Sequence, residues 1–163
     1  MAQRAATSGR AEVSVARAAA GQVWAQVDVP SDVRRGIARA DAELVAARLA
    51  GDPAERFVHS HLGALRAAAA IVLLRSRPAR RGRTRSVWDQ LADAEPGLAA
   101  WSVYFASGAR VRASIDAGRF DAVDARRADE LLACAEDFRD EVAMLVDPEA
   151  GFVRLPGLRS AAS

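Results

Sequence analysis

The chain has 163 residues, enough for one domain with a real core, and 51% of them are apolar. Its formal net charge is only +2, so any attraction for an anionic partner has to come from local clustering. The single cysteine, Cys134, excludes an intramolecular disulfide and a multi-cysteine metal site and fits a reducing cytosol.

Alanine makes up roughly a quarter of the chain, and it is the residue that loses least on entering a helix. Val, Ile and aromatic residues never alternate at period two for long, so an all-α protein is predicted. All 23 basic residues are arginine. No apolar h-region opens the chain, and the longest apolar run, Ala67 to Leu74, is far below the ~20 residues of a spanning helix. A soluble cytoplasmic protein with no membrane partner is expected.

Residues 1–30 are rich in Ala, Gly, Ser and Arg and are read as a mobile arm. Pro30-Ser31-Asp32 offers a helix start, and Ile37, Ala40, Leu44 and Ala47 form a stripe at helical spacing, predicting a helix from about Asp32 to Ala50. Gly51-Asp52-Pro53 then combines a left-handed stop, a capping carboxylate and a proline suited to the first helical position. The helix that follows is expected to reach about Arg77, with Phe57, Leu62, Leu65, Ala69 and Val72 on its apolar face. Ala67 to Ala70 would let a neighbour approach closely.

Pro78 to Arg85 is a basic connector. Ser86 with Asp89 three residues on resembles a capping box for a short helix, Val87 to Ala94, that turns Val87, Trp88 and Leu91 inward. Glu95-Pro96-Gly97 breaks the chain. A fourth helix then runs to Ala117 through Leu98, Trp101, Phe105, Gly108 and Ile115, and Gly118 closes it. Ala128, Leu131, Ala135, Phe138, Val142 and Leu145 mark a fifth, ended by Asp147-Pro148. The domain reading is therefore an arm at 1–30, a bundle of about five helices at 31–147 and a tail at 148–163.

Candidate functional residues are few. Arg75, Arg77, Arg80, Arg81, Arg83 and Arg85 lie within eleven residues, with no acidic side chain between Arg56 and Asp89. Such clusters bind phosphate backbones by Coulomb attraction and bidentate hydrogen bonds, although a solvated loop has the same composition. His59 and His61 project about 200° apart on an ideal helix and cannot chelate one ion together. His61 falls near Phe57 and Leu65, where a core histidine competes with a proton-transfer role. Cys134 reads as structural filler, and Asp137, Asp140 and Glu141 as the solvated face of the last helix. No glycine-rich phosphate loop or metalloprotease motif is present, and no metal or cofactor is expected.

Four stretches together carry a family resemblance: Ala54-Glu55-Arg56-Phe57, His61-Leu62-Gly63-Ala64-Leu65-Arg66 with Ala67 to Ala70, Ser86-Val87-Trp88-Asp89-Gln90-Leu91, and Trp101 through Arg112. From Ser31 to about Val146 the chain resembles a HEPN domain (higher eukaryotes and prokaryotes nucleotide-binding) of a compact actinobacterial subfamily. The resemblance implies a four- or five-helix bundle, a homodimer, and work on RNA or nucleotides. Many such proteins are metal-independent ribonucleases or toxins with an Arg-x4–6-His motif, which Arg56 and His61 satisfy. Three functions follow: an RNA- or nucleotide-binding bundle without catalysis that uses the Arg75–Arg85 connector; an endoribonuclease of toxin type with Arg56 and His61 as catalytic pair, and with a cognate antitoxin as partner; or a dimeric protein-interaction module built on the Ala-rich second helix.

Overall fold

The computed structural model describes residues 29–75 and 85–148. Five α-helices account for most of them: α1 (Ser31–Leu49), α2 (Pro53–Arg75), α3 (Val87–Ala94), α4 (Ala99–Asp116) and α5 (Ala125–Val146). No strand occurs among the described residues, so the expected all-α bundle is what forms. Apart from Val29, which is buried in the core, Pro30 and Pro148, the expected arm and tail lie outside the described residues, as does the centre of the basic connector.

The long helix α2, about 35 Å at 1.5 Å per residue, packs against all four of the others. Its hydropathy and length would suit a membrane span, yet ten of its residues are buried within this bundle. The buried face differs from the predicted one. Ala54, Phe57, His61, Ala64, Ala68 and Ile71 face the core, whereas Ala69 is exposed and Leu62, Leu65 and Val72 are only half-buried. Because four helices surround α2, burial wraps around it, and the small residues go to the tightest contacts. Ala67, Ala68 and Ala70 are covered inside the chain itself.

Glycine sets the α1–α2 spacing. A Cβ on Gly63 would meet Leu44 Cδ2 at 2.9 Å, and one on Gly36 would meet Ala70 Cβ at 3.2 Å. Two carboxylate-centred contacts reinforce this seam: Glu43 accepts from Arg66 Nε at 3.0 Å and lies 2.8 Å from His59 Nδ1. Burial alone would raise the Glu43 pKa, but those hydrogen bonds and charges outweigh it and hold the carboxyl below 4.5. On the opposite side of α1, Asp41 receives a two-pronged contact from Arg139 of α5, whose guanidinium pKa is raised by that pairing.

Local signals in the sequence decide most of the ends. Asp52 accepts from the Glu55 N–H at 3.0 Å, with Pro53 opening α2 as predicted. Ser86 and Asp89 form a reciprocal capping box at α3. Gly118 takes φ +86°, the left-handed value expected after α4. Gly51 does not: Gly118 is the positive-φ glycine among the described residues, and α1 ends on an extended Ala50. Nor do Ser31 or Asp32 cap α1 from outside, since the helix begins at Ser31 with Pro30 at the cap. Short 3₁₀ turns at Pro96–Leu98 and Phe120–Ala122 flank α4.

The stripe of α5 is buried as expected from Ala128 to Val142, with Phe138 meeting Phe105 and Trp101. One of the carboxylates assigned to solvent has a structural task. Glu141 accepts from Trp101 Nε1 at 2.7 Å, satisfying the indole N–H of a half-buried ring.

Candidate functional site

His61 occupies the middle of α2 with 2% of its surface exposed. Its ring stacks near-parallel to Phe57 at 6.4 Å and meets Trp88 edge-on at 5.8 Å. Nε2 lies 3.0 Å from the Phe105 carbonyl oxygen. A carbonyl only accepts, so Nε2 carries the hydrogen and Nδ1 presents a lone pair. That Nδ1 is buried and has no hydrogen-bond partner. Burial is the main reason the imidazole pKa falls below 6.5. The Phe105 hydrogen bond opposes the fall, the Arg112 charge adds to it, and Asp116 pulls the other way. The ring is neutral at pH 7.

Beside it runs a cleft of about 320 Å³ between α2, α3 and α4. Leu65, Val87, Trp88, Ala109 and Ala113 give it apolar walls, and His61, Arg112 and Asp116 supply polar groups. Ser86 also lines it, but its hydroxyl is spent on the α3 cap, donating to Asp89 Oδ2 at 2.7 Å and accepting from the Asp89 N–H at 3.1 Å. Arg112 Nε is 3.5 Å from Asp116 Oδ2, close enough for charge pairing, yet this buried N–H has no hydrogen bond. His61 Nδ1 and Arg112 Nε are the two buried side-chain atoms left without a hydrogen bond among the described residues. Unmade hydrogen bonds of this kind cost about 1–3 kcal/mol each. The residues that carry them, His61 and Arg112, line the same cleft.

Arg56 stands elsewhere. Five positions from His61, it leaves α2 about 140° around the helix. Its guanidinium binds Asp129 of α5 and the Ala50 carbonyl at 2.8 Å, joining the α1–α2 turn to α5. The expected Arg56–His61 pair is therefore two separate structural contacts, and the arginine that accompanies His61 is Arg112. Sequence reasoning missed this partner because it lies 51 positions away. A signal was present on α4 itself: Gly108, Arg112 and Asp116 recur at intervals of four, a stripe that puts the smallest residue beside two charged ones.

At the connector, Arg75 and Arg85 are described and Arg77, Arg80, Arg81 and Arg83 lie outside the described residues. Arg75 pairs with Glu95 at 3.3 Å and Arg85 with Asp93 at 2.7 Å. The α3 end thus offsets the charge at both edges of the cluster, while the two arginine side chains stay 42% and 48% exposed. The connector rejoins the bundle at Arg85 and Ser86, next to the cleft.

Fold and site define an all-α bundle whose central helix carries a buried histidine, His61, alongside a small cleft that Ser86, Arg112 and Asp116 also line. The chain belongs to the SAV_6107-like HEPN family, whose model matches residues 47–143, well over half of its length. No curated protein and no solved structure matches it.

Proposed function

We propose that the chain is an RNA- or nucleotide-binding HEPN bundle acting in the cytoplasm, with the cleft and the adjoining connector as its binding surface. The observation that carries this reading is the cleft that His61, Arg112 and Asp116 line together with Ser86, the residue at which the arginine-rich connector rejoins the bundle. Clefts with apolar walls and a few convergent polar groups are where small ligands bind. Family membership adds a nucleic-acid context, and Arg77, Arg80, Arg81 and Arg83 add phosphate-binding chemistry.

The test is the affinity for single-stranded RNA measured as a function of salt. Replacing Arg77, Arg80, Arg81 and Arg83 with Gln should weaken binding and flatten the slope of log K against log salt by about 3, as expected for four phosphate contacts on a single strand. An unchanged slope, or no affinity in the wild type, rejects the reading.

A metal-independent endoribonuclease is the second reading, favoured by a His61 imidazole of lowered pKa that lines one cleft with the Arg112 guanidinium. Here Arg112 takes the role first expected of Arg56. Cleavage of RNA in EDTA, lost in both His61→Phe and Arg112→Met but kept in Arg56→Met, would establish it. Stable RNA in the presence of the wild type would eliminate it.

A further inference from the structure

Val45, Leu49 and Met144 are 49%, 80% and 57% exposed, and they are half of the large apolar side chains left in solvent among the described residues. All three belong to α1 and α5. On α1, Ala38, Ala42, Val45 and Leu49 recur at steps of four, three and four, within about 60° of the helix circumference, and all are exposed. On α5, Ala133, Asp137, Asp140 and Met144 recur at the same steps and are also exposed. A helix turns a seam of this spacing toward a partner helix. The two seams run side by side, because Val45 and Asp140 line one shallow groove between α1 and α5, crossed by the Asp41–Arg139 and Arg48–Glu136 pairs.

Charge identifies what covers them. Arg35 and Arg39 flank the α1 seam, are exposed, and make no ion pair or side-chain hydrogen bond with another described residue. The same holds for Asp137 on α5, and the Asp140 side chain is 75% exposed and shares Arg139 with Asp41. Each helix therefore lacks the charge that the other one carries. The Asp41–Arg139 contact sets the arginine-bearing half of α1 alongside the aspartate-bearing half of α5. A two-fold axis along the groove would lay α1 of each copy over α5 of the other, arginine to aspartate, and enclose Val45, Leu49 and Met144. A partner of a single charge would suit one helix and repel the other. The face is about 28 Å long and two helices wide, roughly 560 Å² in projection. That is somewhat less than the ~800 Å² per partner of a standard interface and suits a weak, reversible dimer. The alanines of α2 cannot serve instead, since Ala67, Ala68 and Ala70 are covered within the chain.

We propose that the α1–α5 face joins two copies of this chain in an isologous dimer, with Arg35 and Arg39 of each copy against Asp137 and Asp140 of the other. The proposal is independent of the RNA-binding reading, whose cleft is built from α2, α3 and α4.

Sedimentation equilibrium of the full chain tests it. At about 100 µM the mass should approach twice the 17.3 kDa of one chain, as a micromolar dissociation constant requires. Arg35→Glu with Arg39→Glu, or Asp137→Arg with Asp140→Arg, should raise that constant at least about tenfold by setting like charges opposite each other. Mixing the two variants should restore a dimer, and so should all four changes in one chain, which shows that the separate variants still fold. Leu49→Ser should weaken association with helix content unchanged. A mass of one chain at about 100 µM overturns the proposal. So does a dimer indifferent to these changes, or one that each reversal weakens and neither the mixture nor the fourfold variant restores.

Discussion

Gly108 of α4 lies directly against the His61 ring of α2: a Cβ placed on the glycine would stand 3.2 Å from His61 Cδ2 and 3.6 Å from Nε2. The missing side chain is what lets the imidazole reach the Phe105 carbonyl three residues earlier on the same helix. The tautomer of His61 therefore depends on a residue with no functional group.

Gly108→Ala tests that dependence. Alanine would gain up to about 1 kcal/mol in helix propensity, but the added methyl has to displace a packed ring, which typically costs about 1–3 kcal/mol. A net loss of about 1 kcal/mol is expected in urea unfolding, together with a changed His61 Nε2 resonance. A more stable variant with an unaltered ring would refute the account.

Acid should weaken the fold through His61. Its folded pKa lies below 6.5, so above that value folded and unfolded chains both carry neutral imidazole and the group contributes no pH dependence. As pH falls below 6.5 the unfolded chain takes up a proton that the folded chain refuses, and stability declines until the folded pKa is reached. The slope from this one group is at most about 1.4 kcal/mol per pH unit. Urea midpoints from pH 7.5 to 5.5 should fall less in His61→Phe than in the wild type. Parallel curves would contradict a lowered pKa.

Gly63 and Leu44 form a steric pair across the α1–α2 seam. Gly63→Ala should cost about 1–3 kcal/mol because its methyl meets Leu44 Cδ2 at 2.9 Å and Cγ at 3.0 Å. Leu44→Ala should cost about 2–5 kcal/mol by leaving a cavity. The double variant should lose less than the sum, since one change makes the room the other needs. Simple additivity would mean that the helices separate instead.

Ser86→Ala removes the oxygen that accepts from the Asp89 N–H, and caps of this kind contribute about 1 kcal/mol. Because Ser86 also joins the connector to the cleft, faster amide exchange should appear first in Val87 to Gln90. Unchanged exchange there would mean that the Gln90 side-chain contacts with the Arg85 and Ser86 carbonyls hold the turn alone.

Helix number, order and nearly every boundary were legible in the sequence because they depend on neighbours: Asp52 and Pro53, Ser86 and Asp89, Gly118, and the three-and-four spacing of α5. Periodicity was less informative on α2, where contact with four helices buries residues around most of its circumference. The site was legible only in part. His61 was found as a candidate, but Arg56 was joined to it by a spacing of five that the helix turns into about 140° of separation.

The sequence by itself thus determined an all-α chain, because alanine content, caps and apolar spacing act within a few residues of one another. Tertiary structure alone decided which nitrogen of His61 is free, which arginine stands near it, and that Arg75 and Arg85 meet carboxylates at the far end of α3. These outcomes depend on distances between segments far apart in the chain, and those distances are set by how closely the helices pack.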